Sequence, residues 1–170
     1  TLDCYWTGIT ALDLSKNTAL GKLNCSYNSI GTLDLSNNKA LFSLSCYNCE
    51  LGSLDLSNNT ELEEAVVKNN ELTSLTVSSN TKLLLLDVQN NEQLKSIDAS
   101  MLTDLEELQC SYTGLTTLDV TYNTKLVKLI CSNNKLTTLD LSKNTLLERL
   151  FCDGNQLTSC LLYTSPSPRD

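Results

Sequence analysis

The chain has 170 residues, with 12 Lys and Arg against 20 Asp and Glu, a net charge of -8 and no His. A surface built to hold phosphates needs clustered Lys and Arg, so this balance argues against nucleic acid and anionic membrane as partners. Without His there is no Ser-His-Asp triad, Cys-His pair or imidazole metal site, and no enzyme or cofactor is expected. No apolar run approaches the roughly 20 residues of a membrane span.

From the first residues onward one pattern, L-x-(L/C)-x-x-N, recurs. Its first apolar position falls at Leu2, Leu12, Leu23, Leu33, Leu44, Leu54, Ala65, Leu75, Leu86, Ile97, Leu108, Leu118, Leu129, Leu139 and Leu150, in steps that alternate between 10 and 11 residues. The unit is therefore about 21 residues made of two unlike halves. One reads L-x-x-L-x-C-S-x-N-x-L, as from Leu126 to Leu136; the other reads L-T-x-L-D-L-S-x-N-x-x-L, as from Leu136 to Leu147. Only the step through Asn91-Glu92-Gln93-Leu94 carries one residue more than its equivalents.

Alternation inside L-x-C and L-x-L puts the Leu and Cys side chains on one face and the residue between them on the other, so each half predicts a short strand. Ten residues are too few for one coil of a repeat of this kind, where about 20 to 29 is usual. The expected fold is all-β: a solenoid whose turn carries two short parallel strands, about seven and a half turns in all, with little helix and a length of about 36 Å. The inward column of one half runs Cys4, Cys25, Cys46, Val67, Val88, Cys110, Cys131, Cys152; that of the other runs Leu14, Leu35, Leu56, Val77, Ala99, Val120, Leu141. One turn alone buries little, so stability must come from stacking.

Just after each strand stands an Asn: Asn17, Asn28, Asn38, Asn59, Asn70, Asn80, Asn91, Asn123, Asn134, Asn144 and Asn155. An amide at such a corner can satisfy backbone groups that would otherwise be buried unpaired. Thr7, Cys49, Leu102 and Thr113 replace it, so irregularity is expected at those corners.

At the far end, residues 160–170 (CLLYTSPSPRD) depart from the pattern and hold both prolines of the chain, Pro166 and Pro168. The string resembles the translated adapter of a transposase-based sequencing library, which divides the chain into a solenoid, 1–159, and a non-native tail, 160–170. At the near end Thr1 enters in the middle of a repeat, so a truncated solenoid is expected at both ends.

The run LTTLDLSKNTLLERLFCDGNQL, Leu136 to Leu157, and six comparable units before it resemble the leucine-rich-repeat superfamily. Within it they are similar to the irregular 21-residue class common in surface and secreted proteins of Bacteroidetes. The resemblance implies an internalin-like role in recognition and a secreted or cell-surface location; it does not imply a ligand.

Two columns invite chemical readings. Stacked Cys residues lie within disulfide range, but parallel in-register strands point them the same way, so buried free thiols are expected; Cys46 and Cys49 have C-x-x-C spacing, yet a zinc site needs two further ligands. Asp13, Asp34, Asp55, Asp98, Asp119 and Asp140 point outward from the L-D-L strands, with Thr76 interrupting the stack. The D-x-S-x-N pattern mimics the opening of a calcium loop, but the Gly and closing Glu are missing, so a solvated acidic face is expected there rather than calcium.

On the L-D-L side the outward set repeats Thr or Ser, then Asp, then Ser or Thr, as a scaffold would. On the L-x-C side it changes at every turn. The candidate ligand face is therefore Lys22, Asn24, Ser45, Glu64, Val66, Leu85, Asp87, Glu107, Gln109, Lys128, Ile130, Arg149 and Phe151, with Val66, Leu85, Ile130 and Phe151 taken as exposed. Tyr27, Tyr47 and Tyr112 are aromatic anchors at its edge. The expected function is non-catalytic recognition of a protein or a cell-surface glycan. The alternatives are the recognition arm of a larger secreted effector enzyme, and a structural spacer.

Overall fold

A computed structural model describes residues 1–162. The L-x-C halves supply β1 (Leu2–Asp3), β2 (Lys22–Asn24), β3 (Ser43–Ser45), β5 (Glu64–Val66), β7 (Leu85–Asp87), β8 (Glu107–Gln109), β9 (Lys128–Ile130) and β11 (Arg149–Phe151). They form one parallel eight-stranded sheet in the order β1-β2-β3-β5-β7-β8-β9-β11. The L-D-L halves supply β4 (Ser53–Asp55), β6 (Ser74–Thr76), β10 (Thr138–Leu141) and β12 (Ser159–Leu162), which pair only as β4 with β6 and β10 with β12. The result is a parallel β-solenoid with one strand of the long sheet per turn and no helix among the described residues.

Equivalent residues stack in register, Leu23 on Leu44, Leu44 on Ala65 and Ala65 on Leu86. The extra residue is visible as a step one longer between β7 and β8, where Leu86 pairs with Leu108. It is accommodated outside the sheet: Gly114, at φ +75°, passes so close to the Glu92 carbonyl that a Cβ would stand 2.7 Å from it. The two short ladders of the L-D-L side lie one on each side of this insertion.

Both inward columns form one core. From Leu14 to Leu141 its Leu, Ile, Val, Ala and Cys side chains are buried, with the thiols of Cys25, Cys46, Cys49, Cys110 and Cys131 among them. Each fully buried Leu contributes about 1.5 to 3 kcal/mol of transfer free energy.

Strand β12 runs through the boundary expected at residue 159. Ser159, Cys160, Leu161 and Leu162 pair with Thr138, Leu139, Asp140 and Leu141, so the backbone ladder of the repeat extends to Leu162. The physical reason is that Ser159-Cys160-Leu161-Leu162 is as extended and apolar as T-L-D-L, and the exposed edge of β10 accepts it. The remainder of the expected tail, 163–170, lies outside the described residues.

The corner Asn residues fall into two classes. After the L-x-C strands the amide works at both ends. Asn28 donates through Nδ2 to the carbonyls of Cys4 and Cys25, and its Oδ1 accepts from the backbone N–H of Thr7, Gly8 and Ile9 in the preceding turn. Asn70, Asn91, Asn134 and Asn155 repeat that bridge. After the L-D-L strands only the donor end works. Asn38, Asn59, Asn80, Asn123 and Asn144 donate to two carbonyls of the preceding turn, while their buried Oδ1 atoms have no hydrogen-bond partner among the described residues. Asn17, in the turn nearest the N-terminus, is exposed, and its carbonyl accepts from Asn38.

Where Asn is replaced, the substitutes differ in how well they copy it. Cys49 Sγ sits 3.2 Å from the Cys25 carbonyl, the contact an Asn Nδ2 makes one turn away, and Thr113 Oγ1 donates to the Cys110 carbonyl at 2.7 Å. Leu102 is buried and offers nothing polar, yet its turn closes through Leu102 N–H to the Ala99 carbonyl. The irregularity expected at these corners is present in the backbone after Thr7, Cys49 and Thr113, where the next residue, Gly8, Glu50 or Gly114, is left-handed at φ 75°, 60° or 75°; at Leu102 it is confined to side-chain bonds.

Candidate functional site

The Asp column has a role beyond an acidic face. Oδ1 of Asp13, Asp34, Asp55, Asp98, Asp119 and Asp140 accepts the backbone N–H two residues on, from Ser15, Ser36, Ser57, Ser100, Thr121 and Ser142. Each carboxylate closes the turn that leaves its strand. Hydrogen bonds from the Ser backbone and hydroxyl hold Asp13, Asp34, Asp98 and Asp140 below the usual carboxylate range. The solvated acidic face expected from sequence is therefore a row of turn caps, which fixes residue type on this side. No group of three or more His, Cys, Asp or Glu among the described residues is placed to hold a metal ion. No helix among them is long and apolar enough to cross a membrane.

The outward side of the eight-stranded sheet carries a continuous chain of unlike side chains. Tyr5 meets Tyr27 with ring centroids 5.4 Å apart, and Tyr27 meets Tyr47 at 5.3 Å. Lys68 Nζ lies 5.7 Å from the centre of the Tyr47 ring and 3.4 Å from Asp87 Oδ2. Gln89 Nε2 donates to Asp87 and to Gln109 Oε1 at 2.7 Å, Gln109 donates to Glu107, and Glu107 pairs with Lys128 at 2.6 Å. Beside this chain Lys22 lies over the Phe42 ring at 5.1 Å. Partly exposed pairs of this sort add little stability, about 0 to 1 kcal/mol each, so their effect is to order the surface.

Not every candidate lies open. Lys22, Tyr27, Glu64, Tyr112, Arg149 and Phe151 are exposed; Asn24, Ser45, Tyr47, Val66, Leu85, Glu107, Gln109, Lys128 and Ile130 are half-buried; Asp87, at 4 %, is buried. Of the four apolar residues taken as exposed, only Phe151 is so, at 51 %. Turns about 4.8 Å apart let longer neighbours close over a short or apolar side chain, as Lys68 and Gln89 do over Asp87. Leu84, Tyr5, Trp6, Phe42, Lys68 and Gln89 belong to the same surface but were not legible from the residues between the apolar pairs. Tyr5, Lys68 and Gln89 follow the inward column directly, so reading one position further would have found them.

Five of the thiols are buried in the folded chain. All eight Cys are free, with Cys160 exposed and Cys4 and Cys152 half-buried. Burial pushes the thiols of Cys46 and Cys110 well up and that of Cys131 to about 12; a hydrogen bond with Cys49 together with burial raises Cys25, and the same bond lowers Cys49, which is kept from reagent by its full burial instead. Thiolate is the reactive form, so alkylation of the native chain by iodoacetamide at pH 8 should label Cys160 first. Cys4 and Cys152 should follow, and the five buried thiols should react only in denaturant. Peptide mass mapping that found a buried thiol labelled as fast as Cys160 would show that the core opens.

No family profile matches the chain, and no curated protein matches it. Solved structures do. The functional domain of InlJ from Listeria monocytogenes, which includes a cysteine ladder, is 39% identical over 89% of this chain, with a TM-score of 0.88. This chain spans about a third, 34%, of that one. YopM from Yersinia enterocolitica is 25% identical with a TM-score of 0.72, over 89% of this chain and 32% of its own. The internalin InlF from Listeria monocytogenes shares the fold at 21% identity and a TM-score of 0.75, over 86% of this chain and 45% of its own.

Proposed function

Because the chain is a leucine-rich-repeat protein, we propose that it is a non-catalytic binding module that recognises a protein partner through the outward face of its eight-stranded sheet. One observation carries this reading. The L-D-L side spends each outward Asp on closing a turn, whereas on the other side only Asp3, Asn24 and Asp87 make that bond and the outward residue changes from turn to turn, ordered into one chain from Tyr5 to Lys128. A surface whose residue types are mostly free of that duty and yet ordered is suited to recognition, with Arg149 and Phe151 as exposed anchors of the type that dominate interface energetics. The location that goes with this function is secreted or cell surface.

The test is a screen of the chain against an array of extracellular proteins, repeated with two variants. Arg149→Glu with Phe151→Asp should weaken a genuine hit at least tenfold. Asp34→Asn, on the opposite side, should leave it unchanged. A hit that Asp34→Asn abolishes and the double variant does not would place recognition on the wrong face.

A further inference from the structure

Trp6, Tyr27 and Tyr112 share one place in the turn, two residues after the inward column, with Asn48, Asn69, Asn90, Asn133 and Gly154. All eight have left-handed backbone, φ between 51° and 66°. Asn and Gly adopt this conformation readily, whereas bulky side chains rarely do. Aromatic residues at three such positions run against local preference, as happens where function outweighs stability. Around Tyr27 the rings gather: Trp6 stacks on it with centroids 5.6 Å apart and planes 20° apart, and Tyr5 and Tyr47 meet it edge to face. Trp6 is 71 % and Tyr27 42 % exposed.

The same column of positions continues from this platform into grooves of different chemistry. Asn48, Glu50, Asn69, Asn70 and Glu71 line a cavity of about 220 Å³. Next to it Asn70, Glu71, Thr73, Asn90, Glu92 and Gln93 line one of about 530 Å³. Ring faces are followed by amides, which donate and accept, and by carboxylates, which accept. No Lys or Arg lines either groove.

We propose that this edge binds a neutral oligosaccharide, one sugar ring lying against Trp6 and Tyr27 and the hydroxyls of the following rings bonding to Asn48, Glu50, Asn69 and Glu71. The apolar C–H face of a pyranose suits an aromatic platform, and its hydroxyls act as donor and acceptor at once, as the groove does. Three carboxylates, Glu50, Glu71 and Glu92, in a chain of net charge -8 repel sulfated and uronate sugars. This site shares Tyr27 with the protein-binding face; its other residues, Trp6, Asn48, Glu50, Asn69 and Glu71, lie along one edge of that face, and sugar binding there does not rest on the protein-binding reading.

Trp6 is the sole tryptophan, so its fluorescence reports on the platform. The full chain is titrated with chitotetraose, cellotetraose and mannotetraose, with a heparin tetrasaccharide as the anionic comparison, by fluorescence and by calorimetry. The expected result is saturable binding of at least one neutral tetrasaccharide and none of the heparin fragment. Tyr27→Asn suits the left-handed backbone; it should weaken binding at least tenfold while the thermal midpoint stays within about 2 °C of the parent or rises. Should that variant unfold, Trp6→Asn, followed by calorimetry, makes the same test from the next turn. Arg149→Glu with Phe151→Asp should bind sugar as the parent does, so failure here and failure of the protein-binding reading are distinguishable. The proposal is overturned if no neutral tetrasaccharide binds, if the heparin fragment binds better, or if a folded Tyr27→Asn or Trp6→Asn variant retains full affinity.

Discussion

Replacing Asn134 with Ala should destabilise the chain by about 3 to 5 kcal/mol, because several buried backbone groups lose their partner at once. Its Nδ2 donates to the carbonyls of Cys110 and Cys131 at 2.8 and 3.1 Å, and its Oδ1 accepts from the N–H of Thr113 and Leu115 at 3.2 and 3.0 Å. These bonds tie two turns together, so the loss is felt in both. The matched comparison is Asn59→Ala. Asn59 donates to the carbonyls of Leu35 and Asn38, but its buried Oδ1 already has no partner among the described residues. At the equivalent corner Leu102 closes the turn with no amide at all. Asn59→Ala should therefore cost only about 1 to 2 kcal/mol. Urea denaturation of the two variants decides the matter: equal losses would mean that the two classes of Asn do the same work.

Leu86→Ala should cost about 4 to 5 kcal/mol, the upper part of the range for a buried Leu. Leu86 is fully buried, and its register partners are Ala65 on one side and Leu108 on the other. Ala65 is already the one small residue of that column, so a second beside it leaves a void that the rigid ladder cannot collapse around. The site also lies next to the long step between β7 and β8. In a solenoid each turn contacts only its neighbours, so weakening one junction uncouples the two halves. Calorimetry should show the transition broaden or split. A single sharp transition displaced by less than about 2 °C would contradict the account.

Much of this architecture was legible in the sequence because a repeat states each rule several times. Leu44-Ser45-Cys46 and Leu129-Ile130-Cys131 announce the same strand, and no competing reading of Cys46 or Cys131 survives their 21-residue recurrence. Three things were harder to see. The Asp column looked merely solvated because its partner is local: Asp13 bonds to Ser15, two residues away, and D-x-S reads as a turn cap only when weighed against the turn that follows. The left-handed positions were hidden because aromatic residues fill three of them, although Asn48, Asn69, Asn90, Asn133 and Gly154 at the same place carried the signal. The burial of Asp87 depends on what Lys68 and Gln89, in its own turn and the one before, do with their long side chains. No pattern within a single repeat contains that information.

The same distinction explains why the side of the sheet each candidate occupies is legible in the sequence while its exposure is not. Which side of a strand a residue occupies follows from alternation; how much of it stays accessible follows from the sizes of its neighbours one turn away. Ile130 lies between Gln109 and Phe151 in the register and is half-covered, while Phe151 stays open.

Hydroxyl-radical footprinting of the chain, alone and bound to a protein partner captured on the array, tests the central claim most directly. The account predicts protection of Phe151, Tyr112 and Tyr27 on the sheet side, with Tyr122 beyond the L-D-L strands unchanged. Protection of Tyr122 with Phe151 and Tyr112 still fully reactive would contradict it, and would move recognition to the side assigned here to turn closure.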